Sequence, residues 1–518
     1  MTTIASSQQV AMTAAPSEPV QLYNFRKRYK PLTLLFLIPI VICALSWARG
    51  GDAVFTDAGF VALTIICALL LGVELLQFSG RFGIGGMILF GGTIIWFCQD
   101  YMQNVLGQES SFRGFRHVLD HYSVAKAATW YSVFLFMAAL GLLIPHGRRS
   151  DQLFNLIPTP QNNAFYFYLL LIFFVLGISP FFLFTDQPWY EAVWLEMISG
   201  DSGGAEWTTG RTGSQNVAWG GYVAELIRLG RTGGVYAIFY AVLIARNWLL
   251  RIPALLIWAF WVALAFGSGT RGQVVYIMFP AILLYFLKYH AYAAAILKKV
   301  SIRAYILAAI LLAISLVMVH FQGHYRRSGF LNIEMSNLKH IKKLKGNEMF
   351  SSSLDGFRIV PEYVKPLYGE RILESILRPL PEKAFWMIIA PIPRALWRDK
   401  PLDRAWLWYN KVYKGYESRG KGTTIAPGIV GEWYFRYGMS GVIQGGLLFG
   451  WLCGLCEHLL RCSRGRPLQI LFSLALATWL LRSFRMLDPN TLIPIGIGFL
   501  VITIVLYGLG ARRVPQPT

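Results

Sequence analysis

AFYFYLLLIFFVLGISPFFLFT, residues 164–185, decides the fold. It runs for 22 residues without Asp, Glu, Lys or Arg. A helix of that length, rising 1.5 Å per residue, exceeds the ~30 Å of a bilayer's hydrocarbon core. Working outward, similar apolar runs lie near 31–47, 58–78, 82–99, 127–145, 215–244, 252–267, 273–288, 303–320, 439–460, 467–483 and 490–508. The sequence therefore predicts an all-α polytopic membrane protein with about 12 transmembrane helices. The 518 residues are 55% hydrophobic and only 14% charged, against about 25% charged in soluble domains. The runs are solidly apolar rather than alternating, which excludes a β-barrel.

The chain carries a net charge of +21. In a soluble protein this would suggest nucleic acid, but no basic soluble domain exists here, and no nucleic-acid partner is expected. The basic residues sit between the runs, where they orient a membrane protein and meet anionic phosphate. With Arg26, Lys27, Arg28 and Lys30 in the cytoplasm, the same side receives Arg81, Arg148, Arg149, Arg246, Arg251, Lys298, Lys299 and Arg303. It also receives Arg461, Arg464, Arg466, Arg512 and Arg513. Both termini are then cytoplasmic. The expected organisation is a disordered tail (1–25), a first bundle (26–320), a large outer loop (321–438), a last bundle (439–510) and a short tail (511–518). The polar start of the chain lacks the basic n-region and apolar h-region of a signal peptide.

The outer loop is the one sizeable extramembrane region. Residues 321–423 hold 19 Lys and Arg against 10 Asp and Glu. That surplus suits an anionic ligand, or equally a solvated loop beside lipid headgroups. The loop is not low-complexity, since aromatic and proline-rich pieces such as Phe385-Trp386-Met387 punctuate it. The six cysteines lie in or beside apolar runs. Cys453 and Cys456 have redox or metal spacing, but with no second pair this reads as chance. Gly83-Ile84-Gly85-Gly86 follows no strand and is no dinucleotide loop. Gly446, Gly450 and Gly454 form a small-residue ridge for helix packing.

Charges inside or at the mouth of a span are costly, which makes each a functional candidate. Glu225, Arg228 and Arg231 recur every third residue on one face of the run at 215–244; an ion pair that merely locks helices would look the same. The turn Gly267-Ser268-Gly269-Thr270-Arg271-Gly272 offers one guanidinium, a group able to grip phosphate bidentately. Pro391-Ile392-Pro393-Arg394 leads to Trp397 and Lys400, and 422–438 carries Glu432 and Arg436 into the next span. Glu432 and Arg436 could pair across one turn, or Glu432 could accept a proton. His320 and His324 offer alternative bases, and their spacing alone does not make a metal site.

These outer segments carry a resemblance. A Pro-Arg-x-x-Trp-x-x-Lys-Pro stretch at 393–401 and a Gly-Glu-x-x-x-x-x-Gly entry at 431–438 precede a glycine-rich span. Together with the many spans and the late outer loop, they make the chain resemble the Wzy-type polymerases of O-antigens and exopolysaccharides, relatives of the O-antigen ligases. The resemblance extends in character from about Leu226 to the C-terminus. It implies a GT-C-like glycosyltransferase of the bacterial inner membrane, acting at the periplasmic face without metal, nucleotide or other cofactor. Its substrate would be an undecaprenyl-diphosphate-linked oligosaccharide, its surroundings membrane lipid, and a chain-length regulator a possible partner. By matching position, Arg271 corresponds to an arginine of the ligase relatives, whose outer-loop histidine has no identified counterpart. The expected roles are diphosphate binding by Arg271 and Arg394, and orientation of the acceptor hydroxyl by Glu432 or His324. Lys400, Arg436, Arg231 and Arg228 complete the expected substrate-binding set. A ligase shares nearly every feature, and a transporter of lipid-linked sugars is the alternative from another class, although no internal repeat supports it.

Overall fold

The computed structural model describes residues 34–49, 84–93, 121–146, 163–183, 188–198, 220–245, 247–267, 428–462 and 467–484, with single positions among 274–284 and at 397. All the elements among them are helices: α1 (Leu37–Ala48), α2 (Ile84–Thr93), α3 (His121–Leu142), α4 (Asn163–Leu183), α5 (Trp189–Ile198), α6 (Gly220–Phe239), α7 (Trp248–Gly267), α8 (Gly428–Cys462) and α9 (Pro467–Ser483). A π turn, Tyr240–Ile244, ends α6. Among the described residues three stretches are long and apolar enough to cross a membrane: Phe165–Leu183, Trp248–Gly267 and Tyr437–Leu460. The expected tails, the runs at 58–78, 303–320 and 490–508, and the loop up to 427 lie outside the described residues.

Contacts divide the chain into two compact units. The first holds α1, α2, α3, α8 and α9. Its centre is the seam between α3 and α8, which run parallel: the rings of Phe134 and Phe449 lie 6.0 Å apart, and those of His146 and His458 5.5 Å apart. Between these pairs Gly446, Gly450 and Gly454 of α8 face Phe134, Ala138 and Leu142 of α3, and Gly141 of α3 faces Leu447. A Cβ on Gly450 would enter the backbone carbonyl of Ala138. The glycine ridge read in the sequence is thus the packing surface. In hydrocarbon, where apolar surface alone does not drive helices together, such close approach supplies dispersion contact.

The other helices of this unit run against the seam. α1 is antiparallel to α3, with Cys43 beside Ser132 (Oγ to Sγ 3.8 Å) and Trp47 against Trp130 at 5.7 Å. α9 is antiparallel to α8: the Cys456 thiol donates to the Ser473 carbonyl at 3.1 Å, and Phe484 meets Phe449 edge-on at 4.9 Å. Gly85 of α2 sits on the backbone of Cys453, and Gly92 sits under the ring of Phe484. Hydroxyls of Thr93, Ser132, Ser473, Thr478 and Ser483 each donate one turn back to a carbonyl of their own helix. Buried polar groups are thereby satisfied without leaving the helix.

The second unit holds α4 to α7. α4 and α6 are antiparallel, as Phe167 meets Tyr240, Phe173 meets Tyr236, and Gly177 touches Gly230. Trp261 of α7 is completely buried, with its indole in the hollow left by Gly177, Gly230 and Gly234. Pro180 gives α4 no N–H for the Leu176 carbonyl, and the Ser179 hydroxyl donates to that carbonyl instead at 2.8 Å. At the end of α6 the Arg251 guanidinium donates to the carbonyls of Ala241 (3.1 Å) and Ala245 (2.9 Å), satisfying oxygens that the helix end leaves open.

Gly450→Val tests the seam. Overpacking a backbone contact costs about 1–3 kcal/mol or more, so the detergent-purified variant melts well below the parent. Met439→Leu, at an exposed position of the same helix, shifts stability by about 0.5 kcal/mol or less.

Candidate functional site

Two groups of polar residues stand out, one in each unit. In the first, α8 is two helices merged across Gly438, whose φ of 61° and ψ of −145° are open to glycine alone. Residues 428–437 form an arm that folds back along the start of the span. Trp433 lies over Gly445, and its carbonyl approaches Gly441, so that neither glycine has room for a side chain. Gly428, also at positive φ (73°), opens the arm, and the N–H of Ile429 donates to the Phe484 carbonyl at 3.1 Å. Phe484 also meets Phe449 edge-on. The arm therefore starts level with Phe449, about six turns' worth of chain before that residue, and rises to the hinge.

Tyr434 joins the arm to α3 through Trp130 at 5.9 Å, and Trp130 continues to Trp47, over which the Lys126 ammonium stands at 5.9 Å. Glu432 lies two residues from Tyr434, nearly opposite it around the helix, and position 436 follows one turn later on the side of Glu432. Glu432 is nonetheless only 6% exposed. A carboxylate in the first turns of a half-helix feels the positive end of its dipole. Chemically it can accept a proton from, or hydrogen-bond to, a hydroxyl brought to it.

In the second unit Arg231 is 7% exposed. Its neighbours fix its direction. Gly230 and Gly234 face Trp261 of α7, while the Thr232 hydroxyl meets that of Tyr276 at 3.4 Å. Position 231 lies between these two faces of α6, toward the gap between α7 and the segment containing Tyr276. In sequence, residues 268–273, Arg271 among them, lie between these two segments. Arg271, His324, Arg394 and Lys400, and the side chains of Glu225, Arg228 and Arg436, lie outside the described residues.

Three acidic or basic groups escaped the sequence reading. Glu196 on α5 is 6% exposed, yet its segment reads as a hydrophilic connection. Glu457 and His458 are buried near the far end of α8, with Glu457 close to Gly85 and His458 beside His146. The signal was present, because a carboxylate and an imidazole inside the apolar run at 439–460 are costly, but neither residue was singled out in the sequence. Among the described residues no three His, Cys, Asp or Glu side chains gather as metal ligands.

An apolar groove of about 590 Å³ runs along α4 and α7, lined by Phe174, Val175, Ile178, Phe182 and Phe260 and closed by Trp189 of α5. Val175 in its lining is exposed, as are Ile172, Leu255 and Leu256 elsewhere on the same helices.

No protein-family model, curated protein or solved structure matches the chain.

Gly438→Ala tests the hinge. Forcing an L-residue into this conformation costs about 1–3 kcal/mol. The expected outcome is a lower melting temperature and greater accessibility of the arm to proteolysis; unchanged stability would mean that the fold-back is not required.

Proposed function

We propose that the protein joins lipid-diphosphate-linked oligosaccharide repeat units into O-antigen or exopolysaccharide at the outer face of the bacterial inner membrane, with both termini cytoplasmic. One observation carries the reading. The Gly-Glu-x-x-x-x-x-Gly stretch on which the resemblance rests folds as a hinged arm that buries its carboxylate, Glu432, and closes on a glycine-only conformation. The buried Arg231, the basic outer loop and an apolar groove suited to a polyprenyl chain add support.

In the proposed reaction the acceptor sugar's hydroxyl oxygen attacks the anomeric carbon of the donor glycan. The bond from that carbon to the diphosphate oxygen breaks, and the electron pair leaves with the polyprenyl diphosphate. The hydroxyl proton passes to Glu432, or to His324 in its place. Arg271 and Arg394 take the charge that develops on the leaving diphosphate, where a preorganised guanidinium is most effective. Arg228, Arg231, Arg436 and Lys400 bind the anionic substrate. This chemistry needs no cofactor.

Deleting the gene and complementing it with variants tests the reading on a gel of surface or secreted polysaccharide. Single repeat units in place of a ladder are expected in the deletion strain. Arg271→Ala and Glu432→Gln are each expected to lower polymerisation by about 10²-fold. Long lipid-linked chains that fail to be attached would assign a ligase, and an unchanged ladder would overturn glycan transfer. Reporter fusions test orientation: both termini should report cytoplasm, and a fusion after Thr423 the opposite side.

A further inference from the structure

The arm of α8 is re-entrant. Tyr437–Leu460 is long enough to cross the hydrocarbon, and Phe449 lies at its middle. From Gly428 to Gly438 a helix rises about 15 Å, half of a ~30 Å core. The arm spends that rise doubling back along the span. Trp433 lies over Gly441 and Gly445, and the Ile429 N–H reaches the Phe484 carbonyl at 3.1 Å, where the Phe484 ring meets Phe449. α9, antiparallel to α8, ends at this same level with Ser483. The C-terminal end of α9 and the N-terminal end of the arm therefore meet head to tail halfway across the membrane.

Glu432 comes six residues before the hinge, roughly 9 Å below it along the helix. Ile429, Val430, Trp433, Tyr434 and Tyr437 are buried with it. A base must come within hydrogen-bond reach of the hydroxyl it serves, and a carboxylate 6% exposed in this packing cannot meet a sugar. The backbone offers the means of access. Among the described residues the glycines at positive φ are Gly428 (73°) and Gly438 (61°), and they bracket the arm. Glycine passes between left- and right-handed conformations at little cost, so backbone rotation can concentrate at these two points. Beneath Trp433 the span presents Gly441 and Gly445, which hold out no side chain for the indole to climb over.

We propose that the arm is a gate over Glu432. Closed, it fills the outer half of the depth beside α8 and seals the carboxylate from water. Swung on Gly438, it breaks the Ile429–Phe484 bond, lifts Trp433 from Gly441 and Gly445, and uncovers Glu432 to the acceptor. The inference rests on the proposed glycosyl transfer for what the opening serves, whereas the movement itself does not depend on the substrate.

Two measurements on the full-length protein test it. In spheroplasts a membrane-impermeant maleimide meets the outer face. Val430→Cys is expected to be alkylated steadily to completion, read at that position by peptide mass, whereas Leu135→Cys, as deeply buried in α3, stays unreacted. Val430→Cys as inert as Leu135→Cys would overturn the gate. The second measurement locks the arm. A Cβ on Gly445 would stand 2.5 Å from the Trp433 Cγ, so cysteines at 433 and 445 have their Cβ atoms within about 4 Å, in reach of a disulfide. Oxidising Trp433→Cys/Gly445→Cys should lower polymerisation about tenfold or more, as expected when a required opening is blocked. Reductant should restore it, and either single variant should ignore the oxidant. Equal rates in the oxidised and reduced double variant would sink the gate's role at Glu432. If the double variant does not fold, the alkylation of Val430→Cys decides. Alkylation in a protein that makes no polymer would uphold the moving arm and reject glycan polymerisation.

Discussion

Where Gly450 of α8 meets the carbonyl of Ala138 in α3, not even a methyl group fits. The second unit repeats the device with Trp261, whose indole fills the hollow of Gly177, Gly230 and Gly234. Lipid tails are as apolar as leucine, so burial alone gives helices in a membrane little reason to associate. What selects one arrangement is the depth of contact that missing side chains permit. Once glycines fix how each helix is rotated, the direction of every other side chain on it follows. Arg231 comes to lie in its core because Gly230 and Gly234 must face Trp261.

The hinge at Gly438 uses the same residue for another purpose. A straight helix from Gly428 would carry Glu432 beyond the end of the span. The left-handed backbone at Gly438 turns the arm back, and Trp433 fixes it in the grooves of Gly441 and Gly445. Tyr434 then anchors one side to Trp130, and the opposite side holds Glu432. The bond from Ile429 to the Phe484 carbonyl ties the arm's first turn to the end of α9. The position of the carboxylate is therefore set by the backbone at Gly438, by the packing of Trp433 and Tyr434 and by the main-chain bond of Ile429.

How much of this was legible depended on the kind of signal. Hydropathy sums over a window, which is why 164–185 and 252–267 were recognisable as spans and α4 and α7 lie there. The ridge of Gly446, Gly450 and Gly454 was legible because its period is helical. The arm was not, since hydropathy registers that 428–437 is aromatic and half apolar but not that the chain reverses at Gly438. The sequence placed the span's start at 439, and the helix begins again there, after the hinge. Glu432 and Arg231 were found as charges near apolar runs. Glu196 was missed because the exposed Trp189, Tyr190 and Trp194 around it make a mixed segment, and only the fold shows that Ala192, Val193 and Glu196 share the inward stripe.

Burial of these charges is itself informative about what they are for. Replacing a buried ionic group with an apolar one of similar size is often neutral or stabilising, because desolvation cancels the electrostatic gain. A helical bundle optimised for stability alone would therefore not need Glu432, Glu196, Arg231 or Glu457 in its interior. Glycine contacts and aromatic packing already account for how α3 meets α8 and how α6 meets α7. The charges add cost to a fold that is specified without them, and that cost is best explained where an anionic substrate must be oriented or a proton moved. Glu432 and Arg231 meet this condition through the chemistry proposed for them. Glu457 lies toward the other end of α8, beyond Cys453 and Cys456, and the glycan reaction assigns it no role.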